Sequence, residues 1–167
     1  MTSIPAIDTG VAPIRRATVL QAMAAFVSGA FRLRGRASRS EYWWWMLANI
    51  IVLSTTQLLV PVIISGGTPE PTLRIGPFGS WFFANLELFN WHPTDAPTSP
   101  VAALSLAFAG CWLVLTVIPG FAVAVRRLHD SNLAGWWALL VFNPLGSWIL
   151  LLFALRGPRA EGARFDA

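Results

Sequence analysis

The chain has 167 residues, room for one domain, with 55% hydrophobic and 12% charged residues and a mean hydropathy of +0.58. A soluble domain carries about 25% charged residues, so this composition leaves too little polar surface to cover a water-facing globule and excludes an ordinary soluble enzyme or nucleic-acid module. The net charge is +4 and all twelve basic residues are arginine; they flank apolar runs, which points to membrane topology and not to nucleic acid.

Residues 1–16 carry Pro5, Gly10 and Pro13 without periodicity and are expected to be a disordered cytoplasmic lead; residues 17–167 are expected to form a single membrane domain. Arg15-Arg16 before an apolar stretch resembles a secretory signal. That stretch, 17–31, is short, contains Gln21 and runs into Arg32, Arg34, Arg36 and Arg39. Val19, Met23, Phe26 and Ala30 recur at helical spacing, so an amphipathic helix lying in the plane of the interface is expected.

The first expected span is Tyr42–Ile64, 23 residues without a charge, about 34 Å at ~1.5 Å per residue. Ser38 and Glu41 have the spacing of a capping box before it, and Tyr42-Trp43-Trp44-Trp45 forms an aromatic anchor. Residues 65–100 read as a Gly- and Pro-rich loop in which Trp81, Phe82, Phe83, Leu86 and Phe89 suggest a short interfacial helix. The second expected span, Val101–Val125, carries Pro119-Gly120 near its inner end, and Ala103, Ala107 and Cys111 place small residues on one face, a pattern that lets a second helix approach. Cys111 is the single cysteine and is expected to be a buried thiol. Residues 126–135 read as a polar turn, followed by a third span, Trp136–Leu155, interrupted by Asn143-Pro144. The fold class is therefore all-α, a polytopic transmembrane bundle of three spans preceded by an in-plane helix.

Arginine favours the cytoplasmic side of a membrane. With the N-terminus inside, three full spans put eight arginines inside and four outside, and the tail with Arg156, Arg159 and Arg164 sits on the less favoured side. A third segment that re-enters at Asn143-Pro144 would keep the tail cytoplasmic, but non-helical backbone at that depth needs protein around it, and three spans are the expectation.

Two polar segments belong at the same membrane depth: Arg36 to Trp43, with Arg39 and Glu41, and Arg126-Arg127-Leu128-His129-Asp130. At these residues the chain resembles the bacterial Domain of Unknown Function 805 family of small inner-membrane proteins. The resemblance rests on Gly35-Arg36-Ala37-Ser38-Arg39-Ser40-Glu41-Tyr42-Trp43, on Arg126 to Asp130, on Gly135-Trp136-Trp137, on Pro144-Leu145-Gly146, and on the tail from Gly157 to Gly162-Ala163-Arg164-Phe165. It covers residues 26–165. Ala163 stands where the family's tail usually has asparagine, and the loop at 65–100 is longer than is usual. The resemblance implies a multi-pass membrane protein and no activity.

Arg36, Arg39, Arg126 and Arg127 are candidate sites for anionic lipid head groups or a partner protein, positioned by Glu41 and Asp130 and held at depth by Trp43, Trp44, Trp136 and Trp137. His129-Asp130 is a conceivable acid–base pair, but neighbours on a helix point apart; Asp130 is expected to pair with Arg36, Arg39 or Arg126, or to cap the third helix. No catalytic residue, metal site or cofactor is expected. Asn49, Gln57 and Asn143 are the polar side chains inside spans and are expected to bond between helices. A non-enzymatic lipid- or partner-binding membrane protein, with possible self-association through the small-residue face, is the leading expectation; its rivals are an oligomeric transporter or channel subunit lined by those three residues and a lipid head-group enzyme using His129 and Asp130.

Overall fold

A computed structural model describes residues 13–65, 99–142 and 144–166. Among them every regular element is helical. Helix α1, Val19–Ser28, begins at a capping box in which Thr18 Oγ1 accepts from Gln21 N–H and Gln21 Oε1 accepts from Thr18 N–H at 2.9 Å. Gln21, out of place in a lipid span, is thus a helix start signal. Ala22 and Phe26 face inward and the Phe26 ring stacks on Trp45 at 3.7 Å.

Helix α2, Arg39–Ser54, starts at the expected capping box of Ser38 and Glu41. It runs on through a π turn, Thr55–Leu59, into α3, Val60–Ser65. Pro61 brings no N–H for the carbonyl four residues earlier, and a wider helical register there accommodates the missing donor. The three pieces follow one another without a break over 27 residues, about 40 Å at ~1.5 Å per residue.

Helix α4, Pro100–Asp130, is 31 residues long and is the one described helix that by itself is long and apolar enough to cross a membrane. Ser99 caps it and Pro100 occupies its first turn, where a missing N–H costs nothing. Its polar contacts with the first rod are few and specific: Trp112 Nε1 donates to Asn49 Oδ1 at 2.7 Å, and Ser105 Oγ donates to the Thr56 carbonyl at 2.6 Å. Asn49 is wholly buried, so its amide serves helix pairing, as expected. Ala107 and Cys111 lie on the exposed side of α4. Cys111 is therefore not the buried thiol expected, because no described residue covers the small-residue face at Ala107 and Cys111.

Two elements depart from expectation. Arg126–Asp130 is not a turn: α4 continues through it, and the reversal is confined to Ser131–Ala134, where Asn132 takes a left-handed conformation (φ 60°). Every residue from Ala122 to Ser131 is buried, and tertiary burial on all sides sustains the helix where composition suggests a loop. The third segment is also not one helix. Gly135–Phe142 is a 3-10 helix, and α5, Pro144–Leu155, is 12 residues, about 18 Å. The two pieces fold against each other, and both outer ends lie beside the C-terminus of α4: Gly135 abuts His129, while Arg127 Nε donates to the Ala154 carbonyl at 3.1 Å. A straight twenty-residue helix would separate those ends by about 30 Å.

The chain then folds a last 3-10 turn, Ala160–Phe165, over the same place; Arg159 N–H donates to the Asp130 carbonyl at 2.8 Å and Gly35 N–H to the Phe165 carbonyl at 2.7 Å. The core gathers here, around Phe26, Tyr42, Trp45, Met46, Leu128 and Ala138. Away from this end, large apolar side chains such as Leu104, Leu115, Trp148 and Leu152 are more than 60% exposed, a surface suited to lipid tails.

Candidate functional site: the basic end of the bundle

The end of α4, the starts of α1 and α2, the end of α5 and the tail converge on one polar layer just beyond the apolar stretch Val101–Val125. The structure does bring the two basic motifs together. It does not present all of their arginines outward.

Arg127 is 1% exposed. Its guanidinium pairs with Asp130 Oδ2 at 2.5 Å and donates to the carbonyls of Ala154 and Arg156. These are orphan carbonyls at the C-terminus of α5, so Arg127 is a cap for another helix. Asp130 pairs with Arg127, one helical turn back, and not with Arg36, Arg39 or Arg126. Burial pushes its carboxyl above the ordinary value, with Arg127 and then Arg36 opposing. Arg126 is also buried; its guanidinium packs against Gly29 at the end of α1, where any β-carbon would collide with it, and its charge faces Glu41. Its Nε and Nη2 find no hydrogen-bond partner among the described residues. Burial lowers its affinity for a proton. Arg126 and Arg127 are thus 5% and 1% exposed, and little of either side chain reaches the surface.

Glu41 is buried beneath the N-terminus of α2, accepting from Ser38 N–H at 2.6 Å and Ile14 N–H at 3.0 Å. Burial raises its proton affinity, and those two N–H groups oppose the shift. Arg36 grips Asp166, Nε to both carboxylate oxygens at 2.9 and 2.8 Å, and that partner raises its proton affinity. Arg39 is exposed and donates one arm to the Leu155 carbonyl. His129 lies with Nδ1 3.1 Å from the Gly35 carbonyl and its ring stacked on Phe165 at 4.0 Å; burial lowers its proton affinity. His129 and Asp130 engage different partners, the Gly35 carbonyl and the Arg127 guanidinium. Gln57's side chain and Asn143 lie outside the described residues.

Sequence reasoning missed Asp166 and gave Gly35, Gly162 and Phe165 no role beyond the family pattern; Gly162, Phe165 and Asp166 close the layer from the tail, and Gly35 N–H donates to the Phe165 carbonyl. A Cβ on Gly162 would run into the His129 carbonyl, so only glycine lets the tail seat; the Gly-rich tail was the available signal. It also missed the lead. Ser38 Oγ donates to the Ile14 carbonyl at 2.7 Å, Ala17 N–H donates to Ser40 Oγ at 2.8 Å, and Trp44 Nε1 donates to the Ala17 carbonyl at 3.0 Å. Residues 13–17, expected to belong partly to a disordered lead, are pinned to α2. Beside them opens a cavity of about 220 Å³ lined by Arg15, Arg16, Ser38, Arg39, Ser40 and Asp130.

Outside this layer α1 and the turn that follows it keep an apolar flank in the open: Leu20 and Phe31 are each 83% exposed and Val27 72%. Arg32 and Arg34 follow directly, both exposed.

Among proteins already known, inner membrane protein YhaI of Escherichia coli (strain K12) is 49% identical over 41 residues, which is 25% of this chain and 35% of that protein. Inner membrane protein YhaH of the same strain is 41% identical over 39 residues, 23% of this chain and 32% of that protein. The chain thus spans about a third of the length of the curated relatives it matches. No solved structure matches it. Those relatives and the exposed apolar helix α4 together mark this chain as a membrane protein and support the inner membrane as its location. The family model for the protein of unknown function DUF805 matches residues 30–167, most of the chain, and the protein belongs to that family.

Proposed function

We propose that this is a multi-pass inner-membrane protein with no catalytic step of its own, which holds an arginine-rich cytoplasmic face against anionic lipid. The chain crosses twice, once through α2 to α3 and once through α4. Its third segment dips into the membrane and returns. The return of α5 to Arg127 and the seating of the tail on Asp130 support this topology over three crossings. So does the arginine balance: eleven of the twelve fall on the cytoplasmic side and Arg74 alone on the other. The 3-10 piece Gly135–Phe142 is tolerable at that depth because α4 and α5 pack around it. Cysteines placed at Ala134, since Ser131 is buried, and at Ala163 in a Cys111→Ala background test it. Both should react with an impermeant maleimide from the cytoplasmic side only, and opposite sides would restore the three-span topology.

The lipid contact rests on one observation, the exposed apolar flank of α1, which no described residue covers, followed by exposed Arg32 and Arg34. Apolar side chains inserted among acyl chains with cations beside them at phosphate depth are the signature of an interfacial helix. Each basic residue near an anionic surface contributes about 1 kcal/mol. In detergent, phosphatidylglycerol should raise the melting temperature more than phosphatidylcholine does, and R32Q/R34Q should erase the difference. An undiminished difference in that variant overturns the reading.

A further inference from the structure

The tail closes the polar layer through contacts that meet at one histidine. Gly35 serves both sides of the closure: its N–H donates to the Phe165 carbonyl at 2.7 Å, and its carbonyl lies 3.1 Å from His129 Nδ1. A carbonyl only accepts, so Nδ1 carries the proton of the neutral ring and Nε2 carries the lone pair. Nε2 is turned toward the backbone of Gly135, where an added Cβ would lie 3.0 Å from it. A second proton has to go on Nε2, on the packed edge of a buried ring.

The tail meets that proton with a charge of the same sign. Phe165 stacks on the His129 ring at 4.0 Å, and the Arg164 guanidinium lies 4.7 Å from the centre of the Phe165 ring. Charging His129 sets two cations against one phenyl ring. Asp166 attracts the new charge, but both of its oxygens are already held by Arg36. On the same helix Asp130 is paired with Arg127, and Arg126 faces Glu41. Gly135–Phe142, packed on the other side, carries no charge. Burial and then Arg164 lower the proton affinity of His129, while the Gly35 carbonyl and Asp166 oppose the shift.

We propose that segment 159–166 is an acid-released strap, which lifts off when His129 takes up a proton and uncovers the Arg36 guanidinium and the last carbonyls of α4. Arg159 N–H now covers the Asp130 carbonyl and Gly162 sits against that of His129; both are helix-end acceptors that water can satisfy once the strap leaves. The ring titrates near the ordinary value of about 6.5 when the strap is off, and below it when the strap is seated. Seating is therefore independent of His129 above that pH. Below it, the ratio of seated to lifted strap falls up to about tenfold per pH unit until the seated ring also protonates, at most about thirty-fold between pH 6.5 and 5.0. The carboxyls of Glu41 and Asp130, raised by burial, act in the opposite sense and are common to any His129 variant. The inference depends neither on the number of membrane crossings nor on the lipid contact at Arg32 and Arg34.

The test uses the full chain in dodecyl maltoside, in a Cys111→Ala background, with nitroxides on cysteines at Ala24 of α1 and Ala163 of the strap, both exposed. Distances are read by pulsed electron double resonance on samples equilibrated from pH 7.5 to 5.0. One narrow distance is expected at pH 7.5. A broader, longer population should grow below about pH 6.5 and vanish on return to pH 7.5. H129Q keeps a donor for the Gly35 carbonyl but cannot take up the proton, so it should hold the narrow distance throughout. R164Q removes the second cation from Phe165 and should open only at lower pH. A parent protein unchanged down to pH 5.0, or H129Q opening at the same pH as the parent, overturns the proposal. If H129Q is already open at pH 7.5, R164Q decides alone: a transition at lower pH supports the strap, and one at the parent's pH overturns it.

Discussion

Arg127→Met is the most informative single change. The side chain is 1% exposed and its partner Asp130 3%; methionine keeps most of the volume and removes every donor. Three acceptors lose their hydrogen bonds at once: the Asp130 carboxylate and the carbonyls of Ala154 and Arg156. Removing one member of a buried ion pair costs about 3–5 kcal/mol, because the other charge stays in a poor solvent for it. The two carbonyls add to this only modestly, since undocking the end of α5 would let water reach them. A loss of about 4 kcal/mol is expected, read as the shift in sodium dodecyl sulfate needed to unfold the protein from mixed micelles. R127M/D130L removes the stranded charge as well and should recover about 2 kcal/mol. A cost below about 1 kcal/mol for R127M, or a double variant less stable than the single one, would refute the assignment of Arg127 as the clamp between α4 and α5.

Gly146→Ala should destabilise the protein by about 3 kcal/mol, because its Cβ would run into the Leu140 carbonyl and force the 3-10 helix off α5. Gly157→Ala, with open space around it, serves as the matched control within about 0.5 kcal/mol; equal melting temperatures for the two variants would contradict the packed hairpin. His129 predicts a pH effect. Burial depresses its folded proton affinity, against the Gly35 carbonyl that opposes the shift. As pH falls through about 6.5, the ordinary histidine value, the unfolded chain takes up a proton that the folded chain resists, so stability contributed by His129 is present above that pH and is lost below it. The raised carboxylates Glu41 and Asp130 act with the opposite sign. The difference between wild type and His129→Gln isolates the histidine: melting curves from pH 7.5 to 5.5 should converge as the pH falls, and a constant gap would exclude His129 as the source.

The parts legible in the sequence were those with a local cause. The Ser38–Glu41 box is a three-residue spacing with one physical reading, and it starts α2 as expected. The interhelical use of Asn49 follows from the scarcity of partners in an apolar bundle. What failed depends on distant segments. Arg126–Asp130 reads as a turn by composition; it is helical because the tail, 30 residues later, covers it. Length and hydropathy made Trp136–Leu155 a span, and neither records that Gly146 admits the Leu140 carbonyl where the chain doubles back. The charges of Arg126 and Arg127 were visible and their burial was not, since their neighbours come from α1 and from α5. Charge counting did contain a clue: the tail's three arginines are hard to place outside, a difficulty that the proposed re-entrant topology removes.

The grip of Arg36 on Asp166 joins residues 130 positions apart. At a synthesis rate of about 5–20 residues per second, the guanidinium emerges roughly 7–26 s before its carboxylate exists. Throughout that interval it lacks its ion-pair partner and stands as a cation beside the first hydrophobic stretch, at the stage when such cations orient a nascent chain in the bilayer. Once Asp166 arrives, the same charge is neutralised and becomes a latch. On the proposed topology one arginine therefore acts first as an orientation signal during insertion and afterwards as a closing contact, and the second role cannot begin until the first is finished.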